Sequence, residues 1–178
     1  MNFEEKEIDG VILIKPNIFE DDRGHFFERF NKKKFQDFLD QEIHFCQDNE
    51  SFSKKSTIRG LHYQLEPYSQ GKLVHVVDGE IYDVAVDIRK SSMTFGKYVG
   101  CFLSSDNKKS LWIPPGFAHG FCVTSKTAIV NYKCSGYYNP KFERSLNWND
   151  KTINIDWPIF DSYIISKKDK SAPFLSSI

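Results

Sequence analysis

The sequence lacks the marks of several large protein classes. No stretch approaches the ~20 consecutive apolar residues of a membrane-spanning helix. Its 24 Lys and Arg residues equal its 24 Asp and Glu residues, so no excess charge exists to build a nucleic-acid surface or a membrane-binding stripe. There is no G-x-G-x-x-G run, which removes the usual dinucleotide-binding turn. Histidine is sparse, with His25, His44, His62, His75 and His119 widely scattered and no H-x-H pair. The cysteines Cys46, Cys101, Cys122 and Cys134 form no C-x-x-C pair and sit in apolar or strand-like runs. They read as buried reduced thiols, and a disulfide framework is not expected in a chain of 178 residues. The opening stretch MNFEEKEIDG is charged and carries no apolar signal region, so the expected location is the cytoplasm.

Aromatic residues are plentiful: 16 Phe, 8 Tyr and 3 Trp. With the many Val and Ile residues they favour β structure. Residues 1–178 are expected to form one domain, long enough to bury about 70% of its unfolded surface. GVILIKP reads as a short strand stopped by proline, and DDRGHFFERF as a turn followed by an aromatic strand. NKKKFQDFLDQ places Phe35, Phe38 and Leu39 at helical spacing behind Asn31, a suitable N-cap. KLVHVV and EIYDVAVDIR flank Asp78-Gly79, which predicts a two-residue hairpin. GKYVGCFLS follows, and Pro114-Pro115-Gly116 forces a turn before GFAHGFCV. TAIVNYKC is a further strand. Short strands with frequent turn signals imply a sandwich or barrel. From about Asn139 the pattern loosens into loops with one short helix.

Period-two reading of these strands exposes an anomaly. Lys72 shares a face with Val74 and Val76, His119 with Phe121 and Val123, and Tyr132 with Val130 and Ala128. In TIRGLHYQ, His62 and Gln64 fall on one face with Ile58, and Arg59 on the other with Leu61 and Tyr63. Any one of these groups could be an ordinary core or snorkelling side chain. Four strands that each carry one, beside apolar neighbours, point to convergence in a small-molecule pocket. Arg59 joins His62 there only if Gly60 marks a bulge; otherwise Arg59 belongs to another surface. Pro115-x-x-x-His119 resembles the turn-then-histidine by which cupin barrels present a metal ligand. His62 has Gln64, not histidine, two positions on, and no carboxylate stands at ligand spacing, so a metal-free site is expected.

The stretches DDRGHFFERF, QDNESFS, IRGLHYQ, QGKLVHVVDGEIYDVAVDIR, TFGKYVG, LWIPPGFAHGF, YKCSGYYNP, NWND, IDWP and SKKD run in order along nearly the whole chain. Together they resemble the dTDP-4-dehydrorhamnose 3,5-epimerase family. The resemblance implies an all-β, cupin-type jelly-roll barrel with a few short helices. Its core would span roughly residues 45–140, with the N-terminal strand and helix segment and the irregular C-terminal segment packed on it. It implies His62 as general base, Tyr132 as general acid, Asp169 as the partner of His62, and Lys72 beside the sugar C4 oxygen with His119 close by. Arg23, Glu28, Gln47, Asp48, Asn49, Arg59, Glu143 and Lys168 would contact the nucleotide diphosphate and sugar, and Tyr138 would stack on thymine. The alternation of Tyr137 and Tyr138 lets only one of them meet the base. The resemblance further implies a homodimer without metal or coenzyme, in which the Arg23–Glu28 segment crosses into the partner's site.

The implied chemistry explains these residue types. In a 4-keto sugar the hydrogens on C3 and C5 are both α to the carbonyl. Imidazole is a base of suitable strength for their removal, and a carboxylate on its other nitrogen fixes the tautomer. The enolate charge lands on O4, where a buried cation stabilises it. Inversion then needs a donor on the opposite ring face, a role that a phenol can fill. Arg23 and Arg59 suit phosphate oxygens. Beside epimerisation at both carbons stand three alternatives: a single-carbon epimerase on a related nucleotide sugar, a metal-dependent cupin oxygenase, and a non-catalytic sugar-nucleotide binder.

Overall fold

Alternating apolar and polar side chains build this chain as strands. The computed structural model describes residues 1–178. The strands are β1 (Asn2–Glu5), β2 (Ile12–Lys15), β3 (Ile18–Asp21), β4 (Gly24–Phe27), β5 (Gln47–Lys54), β6 (Thr57–Gln64), β7 (Lys72–Asp78), β8 (Glu80–Asp87), β9 (Tyr98–Ser104), β10 (Ser110–Ile113), β11 (Phe117–Val123), β12 (Thr127–Cys134), β13 (Glu143–Ser145) and β14 (Ile164–Ile165). Helices α1 (Lys32–Leu39) and α2 (Lys167–Lys170) and a 3-10 turn at Leu175–Ser177 complete it.

The strands form two facing sheets. One runs β1-β2-β10-β7-β12-β5; the other runs β13-β6-β11-β8-β9, with β14 beside β6. Strands β3 and β4 make a separate hairpin. Between the large sheets lies a core drawn from both, including Val74, Val76, Val130 and Leu111 from one and Ile81, Ala85, Phe121 and Val123 from the other. This is the all-β, cupin-type barrel that the resemblance implies. The outer face of the second sheet is closed by C-terminal residues such as Leu146, Ile153, Trp157 and Leu175. On the first sheet, α1 buries Phe35 against Trp112, with ring centroids 5.3 Å apart. The Asn31 side chain caps that helix by accepting from the Lys34 N–H, as expected.

One local expectation is corrected, and one open alternative is decided. Asp78-Gly79 is not a β-hairpin turn: β7 pairs with β10 and β12, whereas β8 pairs with β11 and β9. The dipeptide is a corner that carries the chain from one sheet to the other. Gly79, at φ +80°, is packed so tightly there that a Cβ would fall 2.0 Å from the Thr127 carbonyl oxygen. The same sharp local geometry serves a hairpin or a sheet crossing, so the dipeptide alone does not choose between them.

The open alternative concerns β6, where the bulge at Gly60 is the outcome. Ile58, Leu61 and Tyr63 all join the outer cluster beneath the C-terminal segment. Arg59 and His62 instead face the interior. The β6–β11 register slips between His119 and Phe121, which pair with His62 and Arg59. Two residues on β6 thus oppose one on β11, a bulge at Gly60-Leu61. Gly60 sits at φ +118°, and a Cβ on it would lie 2.6 Å from the Gly120 Cα. Only glycine fits, and the slip reverses which face each later residue of β6 takes.

Candidate active site

Four strands and one short helix deliver the site. β6 supplies Arg59 and His62, β7 Lys72, β11 His119 and β12 Tyr132; together these five side chains line one cavity of about 240 Å³ with Ser51 and Phe121. His62, Lys72 and Tyr132 also border an adjoining cavity of about 210 Å³, whose wall includes Gln47, Asn49, Gln64, Gln70, Cys134, Tyr138 and Glu143. The groups picked out by strand alternation therefore do converge, and the bulge at Gly60 brings Arg59 to them.

Helix α2 exists to place Asp169. Ser166 caps it by accepting from the Asp169 N–H, and Asp169 is buried against β6. Its Oδ1 lies 2.7 Å from Nε2 of His62, and its Oδ2 accepts from the Gly60 N–H at 3.4 Å. Burial pushes the Asp169 carboxyl up. The bond and charge of His62, with the donors from Gly60 and Ser166, outweigh this and hold it below its usual value. An ionised Asp169 accepts from Nε2–H, leaving Nδ1 of His62 as the basic nitrogen.

Lys72 is enclosed among β-strands, and its Nζ donates to the His62 carbonyl at 3.4 Å. Burial pulls its ammonium down, opposed by Cys134, Asp83 and Glu143. Burial also pushes the Tyr132 phenol up, aided by Cys134 and Glu143 and opposed by Arg59. Tyr132 thus stays protonated at neutral pH and has a proton to give. His119 is held low chiefly by burial, with Lys72 and His62 adding and Asp83 opposing. A base with a carboxylate behind it, a cation and a phenol around one cavity can form an enolate and reprotonate it.

At the outer end, Glu143 binds Lys168 Nζ at 2.6 Å and the Tyr138 hydroxyl at 2.9 Å. Burial raises the Glu143 carboxyl, but these two partners outweigh it. Of the tyrosine pair, Tyr138 lines the cavity, its N–H donating to Gln47 Oε1, while Tyr137 holds Gln64 through its carbonyl. Asp48 turns to the outer face of β5 and pairs with Lys133 at 2.7 Å. Arg23 and Glu28 lie on and beside the β3–β4 hairpin, bound to Asp21 and to Lys34 and Asn31, and line none of these cavities. No group of three His, Cys, Asp or Glu side chains is arranged to hold a metal ion. The sequence reading missed Asp83, buried beside His119. Its signal was present: a carboxylate between Ile81 and Ala85 on the inward face of β8.

A two-sheet barrel with this base, cation and phenol is the architecture of a cupin-type carbohydrate epimerase. The family model for dTDP-4-dehydrorhamnose 3,5-epimerase matches residues 5–177. An enzyme of that name from Shigella flexneri is 54% identical over 169 residues, covering 95% of this chain and 93% of its own. A crystal structure from Legionella pneumophila, in complex with dTDP-4-keto-L-rhamnose, is 47% identical with a TM-score of 0.96, covering 99% of this chain and 94% of its own. A 3′-monoepimerase from Streptomyces bikiniensis, in complex with dTDP-quinovose, is 30% identical with a TM-score of 0.91 over 96% of this chain and 86% of its own. The chain belongs to the dTDP-4-dehydrorhamnose 3,5-epimerase family.

Proposed function

We propose that this enzyme inverts C3 and C5 of dTDP-4-dehydro-6-deoxy-D-glucose, giving dTDP-4-dehydro-L-rhamnose for dTDP-L-rhamnose synthesis. The observation that carries the reading is the Asp169-backed imidazole of His62, at 2.7 Å, opening into the cavity that Lys72, His119 and Tyr132 share. His62 takes the proton α to the ketone, and the charge passes to O4, where Lys72 and His119 meet it. Tyr132 returns a proton on the opposite ring face, and repetition at the second carbon completes the double inversion. Gln47, Asn49, Glu143, Lys168 and Tyr138 hold the nucleotide end, Tyr138 as the thymine stack. Asp48, with its side chain turned outward, contributes through its backbone.

Arg23 and Glu28 serve the active site of a second copy. Supporting this, neither residue lines the cavity of its own chain, and Ile18, Phe19 and Phe26 of their hairpin are exposed. The working unit is then a homodimer. No helix is long and apolar enough to cross a membrane. The substrate is a charged nucleotide that membranes exclude, so we place the enzyme in the cytoplasm, where its free thiols also persist.

The likeness to a monoepimerase keeps single-carbon inversion as a second reading. Incubating the 4-keto sugar nucleotide in D₂O and following the ring protons by NMR separates the two. Loss of both the C3 and C5 signals, with the L-configured product, is expected. Loss of one signal selects the single-carbon reading, and loss of neither removes the enzyme reading altogether.

A further inference from the structure

One buried carboxylate has no part in the scheme above. Asp83 lies midway along β8, between Ile81 and Ala85, whose side chains fill the barrel core. It is completely enclosed. Its Oδ1 meets His119 Nε2 at 2.7 Å, while its Oδ2 is buried without any hydrogen-bond partner. A carboxylate removed from water is stable only when both oxygens are compensated by donors or by positive charge.

The groups facing Lys72 show where that compensation lies. Glu143 on β13 is already committed to Lys168 and Tyr138. On β12, the Cys134 thiol and the Tyr132 phenol are both pushed up by burial and remain neutral. On β6, His62 is held by Asp169, and Arg59 is a cation that opposes a second one. On β11, His119 already uses its Nε2 on Asp83. Asp83 is the remaining anion: it makes no direct ion pair with Lys72, but its Oδ2 is unpartnered, its partner His119 lines the same cavity as Lys72, and its charge acts on Lys72 in the direction that favours the ammonium.

We infer that Asp83 is a positioning residue of this active site: Oδ1 holds His119 with Nε2 protonated, and the unpartnered Oδ2 is the counter-charge that keeps enclosed Lys72 an ammonium. The inference rests on the epimerase reading. Its consequence is specific, because a neutral amine cannot stabilise an enolate oxygen as an ammonium does. Asp83 touches no substrate atom in this account; it acts through two groups that do.

The test uses full-length Asp83→Asn, which keeps the shape and removes the charge, and Asp83→Glu, which keeps the charge. Deuterium uptake at C3 and C5 is measured against pH, with dTDP affinity by calorimetry. In Asp83→Asn, uptake at neutral pH is expected to fall about 100-fold. The high-pH decline of the rate moves down by about one unit, and dTDP affinity stays within about threefold of wild type. Adding Lys72→Ala to Asp83→Asn costs little more, since both remove one effect. Asp83→Glu keeps the wild-type position of the high-pH decline, whatever its absolute rate. An unmoved decline in Asp83→Asn, or losses that multiply in the double variant, overturns the inference. Should Asp83→Asn fail to fold, ¹⁵N-lysine NMR of the wild-type protein decides instead. An ammonium at Lys72 through pH 8 supports the proposal, and a neutral amine at pH 7 overturns it. Wild-type protein that exchanges neither proton refutes the epimerase reading, whereas the lysine NMR tests the Asp83–Lys72 pairing without substrate.

Discussion

At the scale of single residues, burial sets the chemistry and partners correct it. Tyr132 shows the first effect: enclosure keeps the phenol protonated, so it can give a proton but is a poor base. Tyr132→Phe is therefore expected to slow formation of the inverted product about 100-fold or more while deuterium uptake falls less. Equal losses in both measurements would contradict a role after abstraction. His75 shows the cost of burial. It lies outside the barrel interior, and its imidazole is pushed down to about 4, mainly by burial, with Arg29 and Lys133 adding and Asp48 opposing. An unfolded histidine titrates near 6.5, so between about 6.5 and 4 the unfolded chain binds more protons than the folded one. Stability is then lost as pH falls through that window. His75→Gln is expected to flatten the decline of the melting temperature between pH 7 and 4.5, and parallel curves for the two proteins would refute this.

At the scale of elements, β6 and the Asp78-Gly79 corner show what a linear pattern does and does not encode. Helix α1 was legible in full, because an Asn cap and three apolar side chains at helical spacing act locally. The inward placement of Lys72, His119 and Tyr132 was legible too, because their strands keep strict alternation. The face taken by Arg59 was not, since it depends on a slip against β11, a strand distant in sequence, with 62 positions separating Arg59↔Phe121 and 57 separating His62↔His119. Partner choice at Asp78-Gly79 was hidden for the same reason: it is fixed by β10, β11 and β12, not by the dipeptide. The bulge yields a prediction at this scale. Gly60→Ala adds a Cβ into the Gly120 backbone at a positive φ, a cost of at least ~2 kcal/mol. Because the slip aims both Arg59 and His62, activity measured well below the variant's melting temperature should fall as well. A folded Gly60→Ala protein with native activity would show that the bulge is not what orients the site.

At the scale of the whole molecule, the chain presents a cavity lined by His62, Lys72 and Tyr132 and a hairpin whose Arg23 and Glu28 line no part of it. The Arg23 side chain is 90% exposed, and its guanidinium is bound only to Asp21. If it completes a neighbour's phosphate site, Arg23→Ala and His62→Ala proteins should complement each other. A mixed dimer then holds one doubly defective site and one intact one, so each mixed dimer regains about half the wild-type activity and a randomly assorted co-expressed population about a quarter. Activity no greater than the sum of the two pure variants would refute a shared site.

The central claim is that the Asp169-backed imidazole of His62 removes hydrogen from carbon beside the ketone. The most direct measurement follows solvent deuterium entering C3 and C5 of the bound sugar in His62→Ala protein, alongside its affinity for dTDP. Exchange should disappear at both carbons while the nucleotide binds as in wild type. Deuterium uptake at the wild-type rate in that variant would contradict the account.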